Sequence, residues 1–365
     1  MALLLAQLDL LHEQIQLEEQ NVFNMLKILV LESHNQIKSN CSTLSVLDVS
    51  CCLAKVAVER GYTRPTFNIN GKSSDDMVLP DKNYDHSIIS GRHPVVELRL
   101  SENGIQFVPN DCVFDSNCHI TLLTGPNMGG KSTYLRQVAL ISVMAQMGSF
   151  VPAENAALKI VDSIYTRIGA HDNLALNQST FMVEMLETAD ILKHATSNSL
   201  VIMDEVGRGT STADGMAIAY ATLAYLHENI KPLCLFATHY HEIVSKFFSH
   251  RLPFSFDHNS FYLNSSLSPS SSSSTPSSSS PTISSSTTTS SPLPISFDKL
   301  KLMHTAIQDQ IDPTSNSLHF TFIHKVLPGI CTNSHGLYVA ALAGVPNSVI
   351  KNAESFITTY RSSII

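Results

Sequence analysis

Between Leu8 and about Ile37, apolar residues recur at helical spacing (Leu11, Ile15, Val22, Met25, Leu26, Leu29) among Glu, Gln and Asn. This predicts an amphipathic helix of roughly thirty residues. No start signal precedes it, so the element begins in mid-course and Met1 is not expected to open a natural domain. A second helical stretch, Thr43 to Arg60, ends at Gly61, and Pro65 opens an irregular segment rich in Asn, Gly, Ser and Asp. Val95 to Leu100 and His119 to Leu123 then read as strands, and beyond them apolar strands alternate with helical patterns. Such alternation predicts an α/β architecture with a largely parallel sheet. From Asn264 to Pro294 the chain is almost purely Ser, Thr and Pro. That composition buries too little apolar surface to offset its ordering entropy, so a disordered insertion is expected there. Folded patterning is clear again from Leu318 and runs through the apolar stretch Leu337 to Val345.

Composition narrows the class. With 43% hydrophobic and 15% charged residues among 365, wholesale disorder is excluded. A formal charge of -8, from 23 Lys+Arg against 31 Asp+Glu, excludes a protein that coats nucleic acid by bulk positive charge. The cysteines (Cys41, Cys51, Cys52, Cys112, Cys118, Cys234, Cys331) are odd in number and form no CxxC pair, the pattern of reduced intracellular thiols. The apolar N-terminus lacks a basic n-region, and its first basic side chain is Lys27, so neither a secretory signal nor a transit peptide is expected. The longest apolar run, Val138 to Val151, falls short of the ~20 residues of a membrane span, and the chain reads as soluble with no membrane partner.

The sharpest chemical signal is Thr121 to Thr133, TLLTGPNMGGKST. An apolar strand runs into Gly125, Pro126, Asn127, Met128, Gly129, Gly130, Lys131 and Ser132 and then into a helix, the P-loop pattern in its strand–loop–helix context. Glycines let successive backbone N–H groups face phosphate oxygens. The helix adds its positive N-terminus, Lys131 reaches the terminal phosphates, and the Ser132 hydroxyl ligates Mg²⁺.

Ser199 to Glu205, SLVIMDE, is an apolar strand that ends in two carboxylates. Asp204 is suited to the Mg²⁺ shell and Glu205 to orienting and deprotonating an attacking water. Leu233 to His239, LCLFATH, ends a third strand in Thr238 and His239, where a side chain would face the terminal phosphate if the strands lie side by side. His239-x-His241 lacks an evident third metal ligand, and the loop Gly207 to Gly215 suits contacts across a nucleotide sandwich.

These segments together carry a resemblance. TGPNMGGKSTYLRQ (Thr124 to Gln137), STFMVEMLETADIL (Ser179 to Leu192), LVIMDEVGRGTST (Leu200 to Thr212), FATHYHE (Phe236 to Glu242), GLYVAALAGVP (Gly336 to Pro346) and the upstream GRHPVVE (Gly91 to Glu97) closely resemble the MutS family of DNA mismatch repair ATPases. The resemblance implies an ABC-type P-loop ATPase domain working as a homo- or heterodimer with ATP and Mg²⁺. It places nucleotide binding at Gly125 through Thr133, with Ser179 and Thr180 as the signature that caps the γ-phosphate of the partner subunit. Phe107 matches an aromatic that stacks on adenine, His324 a histidine near the base, and His239 the family's switch histidine. Mismatched double-stranded DNA and a MutL homologue are the implied partners.

The domain organisation that follows is a helical core or lever remnant over 1–88, an ATPase domain over 89–263 and 297–346, the insertion at 264–296, and a helical dimerisation remnant over 347–365. Two departures from the family pattern stand out. Leu176-Asn177-Gln178 precedes Ser179 where many relatives carry a glycine, a variation similar to mitochondrial-type MutS homologues. The family's mismatch-reading, connector and clamp segments have no counterpart in this sequence. Three rival readings stay open: another ABC-type ATPase, which the absence of an LSGGQ-like signature disfavours, a catalytically silent dimerisation module, and a homologue specialised for meiotic recombination. The compartment is intracellular, mitochondrial or nuclear.

Overall fold

The computed structural model describes residues 2–69, 72–73, 84–115, 118–169, 180–240, 243, 300–311, 318–331 and 336–364. Ser179 and the Ser/Thr/Pro tract lie outside the described residues. The chain divides into two compact units, Met1–Tyr62 and Thr63–Ile365.

The first unit is two long helices, α1 (Ala2–Glu32) and α2 (His34–Arg60). Only Ser33 separates them, and the backbone bonds Ser33 N to Leu29 O and Ile37 N to Ser33 O carry the helical pattern across. Residues 38–42, which the sequence pattern leaves between the two predicted helices, are part of α2, and nearby hydroxyls bond back onto the preceding turn without breaking it. Thr43 donates to Ser39 O, Ser45 to Cys41 O and Ser50 to Val46 O. Gly61 closes α2 in the left-handed conformation, as its position after Arg60 predicts. By length and composition α2 is the one described helix that could cross a bilayer.

The second unit runs, in chain order, β1 (Thr66–Ile69), β2 (Lys72–Ser73), β3 (Tyr84–Gly91), α3 (Pro94–Glu102), β4 (Asn110–Asp115), β5 (Ile120–Thr124), α4 (Lys131–Gln146), β6 (Asn155–Lys159), β7 (Ile164–Ile168), α5 (Thr180–His194), β8 (Leu200–Asp204), α6 (Thr212–Tyr225) with a π-helical turn (Leu226–Ile230), β9 (Leu233–Ala237), β10 (Leu300–Ile311), β11 (Leu318–Pro328), α7 (Gly336–Leu342) and α8 (Asn347–Ile364). The larger sheet has the order β11-β10-β5-β9-β8-β7. Its strands are parallel except for β11, which is antiparallel to β10. The smaller sheet, β2-β1-β6-β3-β4, is mostly antiparallel.

Strands β5, β8 and β9 are buried along their whole length, which is why they read as unbroken apolar runs. Leu123, Leu200, Ile202 and Leu235 face α4, where Leu135, Val138 and Ile141 meet Ile88 and Phe114 of the smaller sheet. Ile120, Val201, Met203 and Phe236 share the second core with Ile191 of α5 and Leu223 of α6. Each such buried side chain contributes about 1.5–3 kcal/mol.

Two expectations are corrected. Val95 to Leu100 is helix, not strand: Pro94 occupies the first turn, and His93 Nδ1 accepts from both Val95 N and Val96 N at 3.3 Å, so the valines follow a capped start. The segment 63–88 does not belong with the helices either. β1 and β3 both pair with β6, which places this segment in the second unit.

Candidate functional site

Parallel register brings three strand ends to one edge of the larger sheet. Leu123 of β5 and Asp204 of β8 both pair with Ala237 of β9, so the chain leaves β5 at Thr124, β8 at Asp204 and β9 at Ala237 side by side. Open α/β sheets bind ligands at such carboxyl ends.

After Thr124 the backbone turns through Gly125 (φ 140°), Met128 (φ 69°) and Gly130 (φ 94°) before α4 begins at Lys131. Thr305 of β10 lies directly beneath this loop. A Cβ on Gly125 or Gly129 would approach the Thr305 hydroxyl to 2.1 or 2.5 Å, so both positions need glycine. The Lys131 amine is buried and donates to the Gly125 and Pro126 carbonyls at 2.8 and 3.1 Å. It also lies 3.7 Å from Glu205 Oε1. Burial pushes its pKa down, while Glu205 and Asp204 act in the opposite direction.

Asp204 is buried at the end of β8, and burial pushes its pKa up against a Ser132 hydrogen bond that acts to lower it. Its Oδ1 has no hydrogen-bond partner. A buried carboxylate with a bare oxygen beside a serine hydroxyl fits a hard divalent cation, which takes oxygen ligands. Glu205 has left-handed backbone (φ 55°) and donates its N–H to Ala237 O at 3.0 Å, turning its side chain off the strand line. A non-glycine residue in this region costs about 1–3 kcal/mol and is held by its surroundings. Arg208 reaches Glu205 Oε2 at 2.6 Å.

These groups open on one cavity of about 1070 Å³, ample for a nucleotide. Pro126, Asn127, Met128, Gly130, Lys131, Ser132, Thr133, Asp204 and Glu205 line it, as do Phe107, Thr180 and His324. Phe107, with Val96, Leu100, Ile105 and Val108, makes its apolar end. Asn110 joins the backbone at Val108, next to Phe107, to the backbone at His324 although the two are far apart in sequence. Its amide donates to Val108 O and His324 O at 3.2 and 2.9 Å, and its Oδ1 accepts from Val326 N at 2.8 Å. His324 in turn packs its ring toward Gly130.

Gly125 and Gly129 shape the loop from below without lining the cavity. His239 does not line it either; its ring packs 4.0 Å from that of Tyr240. His241 and Ser179 lie outside the described residues. The sequence reading missed Arg136, Arg167 and Glu184, which also line the cavity, and Thr305 beneath it. Glu184 and Arg208 stand inside motifs that were quoted for other residues. Arg167 and Thr305 carry no local signal, because only strand pairing brings them to the site.

Residues 121–255 and 290–361 match the family described as MutS domain V. The chain is 40% identical over 334 residues to the DNA mismatch repair protein MutS of Rickettsia rickettsii (strain Sheila Smith), covering 92% of this chain and 30% of the relative. Against the DNA mismatch repair protein MutS of Lactobacillus acidophilus identity is 40% over 312 residues, covering 86% and 29%, and against that of Lactobacillus helveticus 41% over 310 residues, covering 85% and 28%. The chain thus spans about 30% of the length of the curated relatives it matches. A phosphate-shaped loop, two carboxylates at the end of β8 and this sequence match have one common account: the chain belongs to the MutS family, of which it carries domain V.

Proposed function

We propose that this chain binds ATP with Mg²⁺ and hydrolyses it as the motor part of a DNA mismatch repair protein. The observation that carries the reading is the meeting of Lys131, Ser132, Asp204 and Glu205 in a single cavity with an apolar end at Phe107. In this reading Gly125 to Thr133 hold the phosphates, Phe107 stacks on the base and His324 flanks it. Ser132 and Asp204 hold Mg²⁺, which when bound neutralises phosphate charge. Glu205 orients a water molecule and takes its proton, and Lys131 offsets charge that develops on the phosphoryl oxygens. His239, one residue beyond Thr238 at the end of β9, senses the terminal phosphate from outside the lining.

Partners follow from the family. Ser179 and Thr180 reach the nucleotide of a second MutS subunit, homologous or identical, and α8 supports pairing. Mismatched DNA engages other parts of the assembly, in keeping with the charge of -8 on this chain, and a MutL homologue reads the outcome. No membrane takes part, and the site of action is intracellular, nuclear or mitochondrial; all seven cysteines are free thiols.

The test is ATPase activity of the purified chain over a wide protein concentration range, with Glu205→Gln as control. The expected result is turnover that rises with protein concentration and falls at least a hundredfold in the variant, while ATP binding persists. Undetectable ATP binding by the wild-type chain would overturn the reading.

A further inference from the structure

Gly207, two residues past Glu205, is gripped from both sides. Its N–H donates to Glu184 Oε1 of α5, and its carbonyl accepts from the Tyr240 hydroxyl at 2.7 Å. There is no slack around it, since a Cβ on Gly207 would meet the Gly215 carbonyl oxygen at 2.3 Å, and one on Gly215 would meet the Tyr240 hydroxyl at the same distance. The other Glu184 oxygen lies 3.2 Å from Arg167 Nη2 of β7, and Arg167 Nε is 3.4 Å from Glu187 Oε2. The side chains of Glu184 and Arg167 are each 4% exposed.

Burying such an ion pair costs about as much in desolvation as it returns, so net stability is a weak reason for its presence; fixing one arrangement is the better-attested use. Four elements meet in it. α5 begins at Thr180, β7 leads toward the same segment, Gly207 follows Glu205, and Tyr240 follows His239.

We propose that Glu184 is a positioning residue: by gripping Gly207 it makes the placement of Glu205 depend on the placement of helix α5. A contact made at the Thr180 end of α5 is thereby felt at the carboxylate that orients water. A helix is stiff along its axis, and the buried Gly207 N–H has Glu184 as its acceptor, so α5 and the loop move together or the bond breaks, at a cost of about 1–3 kcal/mol for the group left unsatisfied. Tyr240 extends the same grip to the segment that carries His239. This rests on the ATPase reading above, but the linkage has a readout of its own.

The experiment compares the full chain with Glu184→Ala, Glu184→Gln, Tyr240→Phe and the Glu184→Ala/Tyr240→Phe pair, measuring amide hydrogen exchange over residues 203–210, affinity for a fluorescent ATP analogue, and steady-state turnover. Glu184→Ala is expected to speed exchange at 205–209 at least tenfold without nucleotide and to lower kcat at least tenfold, by a larger factor than it weakens binding of the analogue. Glu184→Gln, whose one amide oxygen can still accept from the Gly207 N–H while its NH2 faces Arg167, is expected to exchange more slowly than Glu184→Ala and to recover part of kcat. The double variant is expected to lose less than the two single losses combined. Unchanged exchange at 205–209 in Glu184→Ala would overturn the proposal, as would equal losses of affinity and kcat. Should the alanine variant fail to fold, Glu184→Asp, which keeps the charge but falls one methylene short of the Gly207 N–H, decides by the same exchange measurement. A wild-type chain that binds ATP without turnover would remove the autonomous ATPase reading and leave the exchange result to judge the linkage.

Discussion

Lys131 Nζ lies 3.7 Å from Glu205 Oε1 while donating to the carbonyls of Gly125 and Pro126, so one buried amine ties the phosphate loop to the residue that follows β8, across the intervening strand β9. The two residues are 74 positions apart, and the parallel pairing of β5, β9 and β8 brings them together. Burial holds the pKa of this amine below the usual lysine value, and the Glu205 and Asp204 carboxylates offset only part of that shift.

Replacing Lys131 with Ala is expected to weaken ATP binding at least tenfold, equivalent to about 1.4 kcal/mol. Lys131→Arg is expected to bind nearly as poorly, because a planar fork does not fit a site shaped for a compact ammonium. Titration with a fluorescent ATP analogue measures both, and wild-type affinity in Lys131→Ala would contradict the assignment of the loop.

Thr305 predicts a pair of unequal rescues. Gly129→Ala brings a methyl to 2.5 Å from the Thr305 hydroxyl, whereas Gly125→Ala adds a clash at 2.1 Å to a φ of 140°. Both variants are expected to melt lower than wild type, by about 1–3 kcal/mol of stability. Adding Thr305→Ala removes the hydroxyl and is expected to restore part of the loss for Gly129→Ala and little of it for Gly125→Ala, where the backbone strain remains. Equal rescue of both, read from denaturation midpoints, would show that the hydroxyl alone excludes a side chain.

His86 predicts an acid limit to stability. It is fully buried against Phe114, with ring centroids 5.9 Å apart, and burial, aided by Lys159, lowers its pKa from 6.5 to about 4. The folded state therefore binds fewer protons than the unfolded chain between these values. Its stability from this group is complete above pH 6.5 and is lost as pH falls, amounting to about 3 kcal/mol by pH 4. Urea unfolding of His86→Leu between pH 7 and pH 4 is expected to show a correspondingly shallower decline. A decline as steep as wild type would place the acid sensitivity elsewhere.

The phosphate loop was legible because its chemistry is local. Glycines for a tight turn, a lysine, a hydroxyl and a flanking strand and helix all fall within Thr121 to Thr133, and Asp204–Glu205 at the end of an apolar strand needed only the same logic. The buried strands β5, β8 and β9 were legible for a related reason, since a strand covered on both faces carries an unbroken apolar run. Val95 to Leu100 misled because Val-rich composition resembles strand, while the deciding factors were Pro94 in the first turn and the His93 side chain curling back onto two backbone N–H groups.

What remained belongs to tertiary structure. Nothing near Thr305 or Arg167 in sequence marks them, and the first lies under the phosphate loop only because β10 pairs with β5 across an interval of some 180 residues. The register of Asp204 and Leu123 on Ala237 fixes which strand ends share an edge. Sequence thus determined the residue types that can bind phosphate and a cation, since these depend on functional groups and short turns. The sheet order decided which distant side chains complete the site, because strand pairing satisfies backbone hydrogen bonds between segments whose separation along the chain leaves no local trace.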